Sequence, residues 1–466
     1  MSNIKQYIFL IKVIFLFFQL ILISSCSSLN ESNSDCADCL PRPVQLNEVS
    51  IQVDFNISEQ NNFFISGTYI NSFTPLITSF LTNRKVNSNP AKKLDIKKKF
   101  EQKFSGFNIH NYNVNLYKIS YFIQSVVTNE PVQVSGLFIV PDVNKEIPIL
   151  VFSPGSRLGD SAEVPSEGNS DELYTILGSL LSSTLGFATF IPDYVGWGDS
   201  DNFTHHYMNA NEAVQTVLNG VEAAYEFSLT LGGTLNFSLN KDVILSGYSQ
   251  GGVAALLSTI YVERFPTHYP NINLVASLPM GGVPNLREHI IQIYNNKSYE
   301  LSSFLPYILI TNDESYDFYT DFADIMDADN HADIEHCITS GEYTLMECDT
   351  LIDSNDPLGV YEDDWLNAFL LNIYDGNYSD PLERFVFENS AYYLLNDWEA
   401  QDHLGYRFYH CSGDTYTFFD IDNDFVDYLK SEKNANASMI NFGDYDHMEC
   451  IIPSITDAVY WLSTVY

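Results

Sequence analysis

Positive charge is what this chain most lacks: 22 Lys and Arg stand against 60 Asp and Glu, a formal net charge of −38. The shortage is uneven. Residues up to Lys118 hold about half of the basic side chains, including Lys97-Lys98-Lys99, whereas Ser298 to Ala400 holds only Arg384 against about two dozen acids. Nonspecific nucleic-acid binding is thereby excluded, because phosphate contacts need Lys and Arg. The excess acid suits solubility in a salty exterior, where screening moderates self-repulsion, or is only a solvated surface. Metal-binding patterns are missing too. No Cys/His spacing argues for zinc. The runs Asp313-Glu314, Asp317, Asp321, Asp324, Asp327, Asp329 and Asp420-Ile421-Asp422-Asn423-Asp424 lack the spacing and glycine of a calcium loop. No metal or organic cofactor is expected.

Long apolar runs are also scarce. Val13 to Ile23, behind the basic Lys5 and Lys12, is too short to span a bilayer comfortably and reads as the apolar part of an export signal. Ile23-Ser24-Ser25-Cys26 resembles a bacterial lipobox. That resemblance implies a signal peptide over 1–26 and a lipidated Cys26 as the first mature residue, whereas an ordinary secretory signal would leave the compartment unchanged. Ser27 in place of aspartate gives no inner-membrane retention cue, so an outer-membrane lipoprotein is expected, its face left open. Six further cysteines suit an oxidising compartment. Cys36-Ala37-Asp38-Cys39 lies in a polar linker (27–43) with Pro41 and Pro43, a poor setting for a redox motif.

The chemistry centres on Ile244-Leu245-Ser246-Gly247-Tyr248-Ser249-Gln250-Gly251-Gly252, a G-x-S-x-G turn between a short apolar strand and a helix with little bulk at its start. Such a turn exposes a serine on strained backbone and leaves no room for neighbouring Cβ atoms. A serine hydroxyl needs a histidine to take its proton and an acid to fix the tautomer, in the order Ser, acid, His for this turn. Tyr406 to His410 alternates like a strand and runs into Cys411-Ser412-Gly413-Asp414, so Asp414 is the candidate acid, with Asp420 and Asp422 as fallbacks. Met439 to Phe442 is a further strand, and the loop after it carries His447, the candidate base, ahead of a helix expected from Pro453 to Leu462. His410 lies inside a strand, and His331 and His336 precede Asp414. Two oxyanion donors are needed: the Gln250 amide, and the Ser156 amide (Gly155 next) in the turn Ser153-Pro154-Gly155-Ser156.

The strand Val114 to Gln124, a turn at Asn129-Glu130-Pro131 and the strand Val132 to Val140 suit an antiparallel hairpin at a sheet edge. Strands then alternate with helices: Ile147–Phe152, helix Asp171–Ser183, strand Phe187–Ile191, helix Asn209–Leu229, the serine's strand and helix, and Leu274–Leu278. That alternation calls for a mostly parallel sheet covered on both faces. The stretch before Asp414 is too long for a plain crossover and should form a mainly helical cap. Its aromatics (Phe304, Tyr307, Tyr316, Phe318, Tyr319, Phe322, Trp365, Phe369, Tyr392, Tyr393, Trp398) suit an acyl or aryl pocket, though only a few are expected to touch substrate.

These motifs, with Ser135-Gly136-Leu137-Phe138-Ile139-Val140-Pro141, Ile191-Pro192-Asp193-Tyr194-Val195-Gly196-Trp197-Gly198-Asp199-Ser200, His205-His206-Tyr207 and Asp446-His447-Met448-Glu449-Cys450, resemble the secreted lipase and esterase branch of the α/β-hydrolases, which includes the lipase-A-like enzymes. The resemblance runs from about Tyr112 to the C-terminus, apart from the middle insertion. It implies an α/β-hydrolase fold: a core over 112–297 and 401–466, a cap over 298–400, and an N-terminal region, 44–111, without a functional reading except a charged helix over Lys92–Phe104. These relatives usually carry His-Gly-Thr where this chain has Pro154-Gly155-Ser156, which keeps the amides and loses a histidine. Cys411 and Cys450 each lie three residues from a candidate triad member, so a bridge would tie the acid turn to the base loop; Cys337 and Cys348 could close a small loop.

The expected activity is hydrolysis of small-molecule or lipid carboxylic esters through Ser249, Asp414 and His447, with an acyl-enzyme intermediate and no cofactor. A serine peptidase or acyltransferase on the same fold, or an inactive surface-binding lipoprotein, are the alternatives. Oligomeric state, acyl length and leaving group have no signature in the chain.

Overall fold

The computed structural model describes residues 60–63, 98, 112–158, 164–169, 172–326, 331–375, 380–395, 398–401 and 404–466. The expected signal peptide over 1–26 with Cys26, the expected linker with Cys36 and Cys39, and most of 44–111, including all but one residue of the expected Lys92–Phe104 helix, lie outside them. So do Asp327 and Asp329.

Among the described residues nine strands form one sheet: β1 (Gln60–Phe63), β2 (Val114–Gln124), β3 (Pro131–Pro141), β4 (Glu146–Ser153), β5 (Ala188–Pro192), β6 (Ser238–Tyr248), β7 (Asn273–Met280), β8 (Gly405–His410) and β9 (Ala437–Asn441). Their order is β1-β2-β3-β5-β4-β6-β7-β8-β9. From β5 through β9 every neighbouring pair is parallel. β2 and β3 form the antiparallel hairpin, in register from Val114 opposite Pro141 to Gln124 opposite Pro131. Asn129, at φ 63°, takes the left-handed turn position that asparagine tolerates. The hairpin is not the sheet edge, however, because β1 pairs antiparallel with β2 outside it.

Two helices, α1 (Leu173–Leu185) and α12 (His447–Val465), pack on one face of the sheet, and α2 (Ala210–Leu235) and α3 (Gln250–Arg264) on the other. The first face holds a core of Leu137, Ile139, Phe152, Ile191, Leu278 and Tyr409 against Leu177, Leu181, Ile455 and Leu462. Caps fix where the helices begin. Asn209 accepts from the Glu212 amide ahead of α2, and Asp446 forms a capping box with Glu449 ahead of α12. That box starts α12 at His447, six residues before the expected start at Pro453, which sits inside the helix. Between β7 and β8 the chain is mainly helical: α4 (Leu286–Asn296), α5 (Phe304–Tyr316), α6 (His331–Thr339), α7 (Leu345–Asp349), α8 (Asp363–Asp375), α9 (Pro381–Glu388) and α10 (Ala391–Leu394). A bridge joins Cys337 in α6 to Cys348 in α7. The last crossover is α11 (Phe419–Glu432), between β8 and β9.

Candidate active site

All three candidate residues stand at the C-terminal ends of parallel strands, where crossover sheets open a crevice. Ser249 lies between β6 and α3 at φ 59°, ψ −122°, a conformation most side chains avoid. The flanking glycines explain how the chain tolerates it. A Cβ on Gly251 would overlap the Ser153 carbonyl, and one on Gly247 the Gly251 carbonyl.

The Ser249 hydroxyl lies 2.9 Å from His447 Nε2, and His447 Nδ1 lies 2.7 Å from Asp414 Oδ2. Nδ1–H donates to the carboxylate, which leaves Nε2 as an acceptor facing the serine hydroxyl. His447 is the first residue of α12, not part of a free loop. Its carbonyl accepts from Tyr248 Oη at 2.5 Å, and its ring stacks on that of Tyr416 and lies tilted against that of Tyr248, with centroids 5.2 and 5.0 Å away. The buried bridge Cys411–Cys450 joins the turn before Asp414 to the first turn of α12.

Asp414 is saturated with donors. Oδ1 accepts from the Tyr416 and Thr417 amides, each at 2.9 Å, and Oδ2 accepts from Thr417 Oγ1 at 3.0 Å. Burial pushes its carboxyl up, but His447 and His410 more than offset this and hold it well below the usual carboxylate range. Sequence reasoning set His410 aside as a strand residue, yet it closes the far side of the acid: Nε2 is 3.3 Å from Asp414 Oδ2, and Nδ1 is 2.7 Å from Asp422 Oδ2. Asp422, the fallback acid, therefore belongs to the same cluster one layer back.

Gln250 opens α3, so its amide has no acceptor within the helix. Its side-chain Nε2 is 2.9 Å from His205 Nε2, while His205 Nδ1 donates to the Val195 carbonyl at 3.0 Å. Burial lowers His205 to about 4, so the ring is neutral and accepts from Gln250. Opposite, the Gly155 amide donates to Tyr174 Oη at 2.7 Å, which leaves the Ser156 amide as the donor of that turn. Tyr194 Oη holds the Pro154 carbonyl at 3.0 Å, and Tyr207 Oη pairs with Ser156 Oγ at 2.8 Å. His205 and Tyr207 come from a quoted motif to which no role had been given; Tyr174 had no sequence signal.

A crevice of ≈ 140 Å³ opens beside Ser249 and His447. Its walls are apolar: Leu173, Tyr174 and Leu177 of α1, Met448, Ile451, Ile452 and Ile455 of α12, with Phe152 beneath. The 298–400 segment supplies only Leu301, Leu345 and Met346, and none of the aromatics expected there. Those rings pack elsewhere: Tyr307 stacks on Tyr207 at 4.2 Å, and Trp365 on Tyr361 at 5.2 Å.

Residues 170–345 match the secretory lipase family. No curated protein matches the chain by sequence. Among solved structures, the rice cell wall degrading esterase LipA of Xanthomonas oryzae superposes with a TM-score of 0.62 at 18% identity, covering 79% of this chain and 93% of its own. Candida antarctica lipase A in its closed state gives 0.53 at 14% identity, covering 76% and 81%. The fold is that of the α/β-hydrolases.

Proposed function

We propose that this α/β-hydrolase cleaves carboxylic esters through an acyl-enzyme formed on Ser249. The observation that carries the reading is the hydrogen-bonded line from Ser249 Oγ through His447 to Asp414, beside an apolar crevice. His447 Nε2 takes the serine proton as Oγ adds to the ester carbonyl, and the oxyanion is held by the Gln250 and Ser156 amides. Collapse passes that proton to the leaving alkoxide. Water, deprotonated by the same nitrogen, then attacks the acyl group and frees the acid. Asp414 stays ionised throughout and holds the imidazolium.

The secretory-lipase match over 170–345, and likeness in fold to an esterase and a lipase, support ester substrates and a location outside the cytoplasm. Residues 112–297 and 401–466 form the core, 298–400 the cap, and Cys26 anchors the mature chain by lipid to the outer membrane. The decisive comparison is a neutral p-nitrophenyl ester against the matching aminoacyl anilide, on purified protein lacking residues before Ser27. The ester should turn over far faster than the anilide, whose poorer leaving group needs more help from an acid in the transition state. Equal rates would make the protein a peptidase.

A further inference from the structure

We infer that His410 is a buried imidazolium wedged between Asp422 and Asp414, and that it is a positioning residue which sets the lower end of the pH range in which His447 can act as a base. The inference rests on the esterase reading for its kinetic part only.

The charge follows from donor and acceptor accounting. Nδ1 of His410 faces Asp422 Oδ2 at 2.7 Å, and Nε2 faces the Thr417 carbonyl at 3.0 Å and Asp414 Oδ2 at 3.3 Å. A carboxylate and a backbone carbonyl accept and never donate, so a neutral ring would point a lone pair at one of them. Thr417 Oγ1 sits 3.2 Å from Nε2 but donates its one proton to Asp414 at 3.0 Å. His410 is 0% exposed, so water cannot supply another arrangement. Burial works against the cation, but Asp422 and Asp414 more than offset it and keep it charged up to about 10.

The remaining neighbours do not replace this charge. His289 on α4 is held neutral by burial, lowered to about 3, and bonds Tyr299 Oη at 2.9 Å. Burial raises the Tyr248, Tyr299 and Tyr416 phenols, so they stay neutral. Asp349, Glu300 and Asp446 lie farther out, beside Tyr416, and burial raises Asp349 to about 6, so it adds its negative charge only above that.

His447 and His410 thus grip one oxygen, at 2.7 and 3.3 Å. Protonating His447 places a second cation within about 6 Å of the first, a repulsion that survives at the effective dielectric of a protein interior. Asp422 cancels part of it. Without His410, Asp414 would hold a protonated His447 more tightly, and the base would be blocked at a higher pH.

Two measurements test this on the full mature chain. Nitrogen NMR with assigned histidine side chains should find the His410 ring of the wild type doubly protonated at pH 8, whatever the protein's activity; a neutral His410 ring overturns the cation. In His410→Gln, the acid limb of kcat/KM against pH should move up by about one pH unit, the scale set by that screened repulsion. Asp422→Asn, which removes the charge that cancels part of the repulsion while Asp414 still holds the cation, should move the limb the opposite way, down, and serves if His410→Gln does not fold. Lower kcat with an unmoved limb in the folded variants would reduce His410 to a structural residue and overturn the inference. Loss of ester hydrolysis in wild type would instead sink the esterase reading and leave the NMR result standing.

Discussion

The crevice between α1 and α12 should impose an acyl-length optimum. Its ≈ 140 Å³ is close to the roughly 150 Å³ of an engineered cavity that accepts benzene, so about six carbons fill it. Each methylene moved from water into such a site is worth about 0.8 kcal/mol, or about fourfold in kcat/KM. A p-nitrophenyl ester series should therefore climb about fourfold per carbon from acetate to about hexanoate, then level or fall. Leu177 lines the inner wall and is 6% exposed. Leu177→Ala removes three carbons of wall and should lengthen the optimum by about two carbons, while costing about 2–5 kcal/mol of stability, as core truncations do. Leu180→Ala, equally buried on the same helix but not lining the crevice, controls for the stability loss and should leave the optimum alone. A profile still rising at dodecanoate, or an optimum unmoved by Leu177→Ala, would refute the assignment. An optimum that appears only when the alcohol of an acetate ester is lengthened would give the crevice to the leaving group.

Stability should peak on the acid side of neutrality. Asp414, held low by its histidine partners, contributes stability above the unfolded carboxylate range that is lost as pH falls through it. Half-buried Glu263 and buried Glu383, each raised to about 7, and His410, raised to about 10, contribute stability at low pH that is lost as pH rises through those values. Thermal melts should give the highest Tm near pH 5 and a decline toward pH 10, shallower in His410→Gln; a flat profile would contradict the buried charges. Removing the Cys411–Cys450 bridge by double alanine substitution frees a 39-residue loop, worth about 4 kcal/mol by loop-closure entropy. Urea unfolding should show that loss together with a fall in kcat, whereas alanines at Cys337 and Cys348, which close 11 residues, should lower stability by about 3 kcal/mol and spare kcat. Unchanged kcat without Cys411–Cys450 would mean that the bridge does not align the triad. Esters with a free carboxylate near the scissile bond should be poor at low salt and improve as salt screens the acidic surface; turnover equal to that of neutral esters would rule this out.

Much of the core was legible because each crossover strand is a short apolar run between turn residues. The β2 bounds agree at both ends, and those of β4, β5 and β7 within about two residues. The start of α12 was placed six residues late, at Pro453, although Asp446 and Glu449 already had capping-box spacing. The hairpin was placed at the edge because the four residues of β1 carry too little pattern to announce a strand. Ser249, Asp414 and His447, which the structure brings together, could be named as candidates because each follows a strand. His410 was given no role and Asp422 only that of a fallback acid, since a buried cation is defined by what surrounds both ring nitrogens, and those partners come from the loop after β8 and the first turn of α11. The cap aromatics misled for the opposite reason: composition marks them as apolar filler but not which way they face.

The central claim is that Ser249 is a base-activated nucleophile. A fluorophosphonate probe, followed by peptide mass spectrometry, measures this directly. One equivalent should attach at Ser249 in the wild type, none in Ser249→Ala, and far more slowly in His447→Ala. Full labelling elsewhere, or labelling of Ser249 at an undiminished rate without His447, would contradict the account.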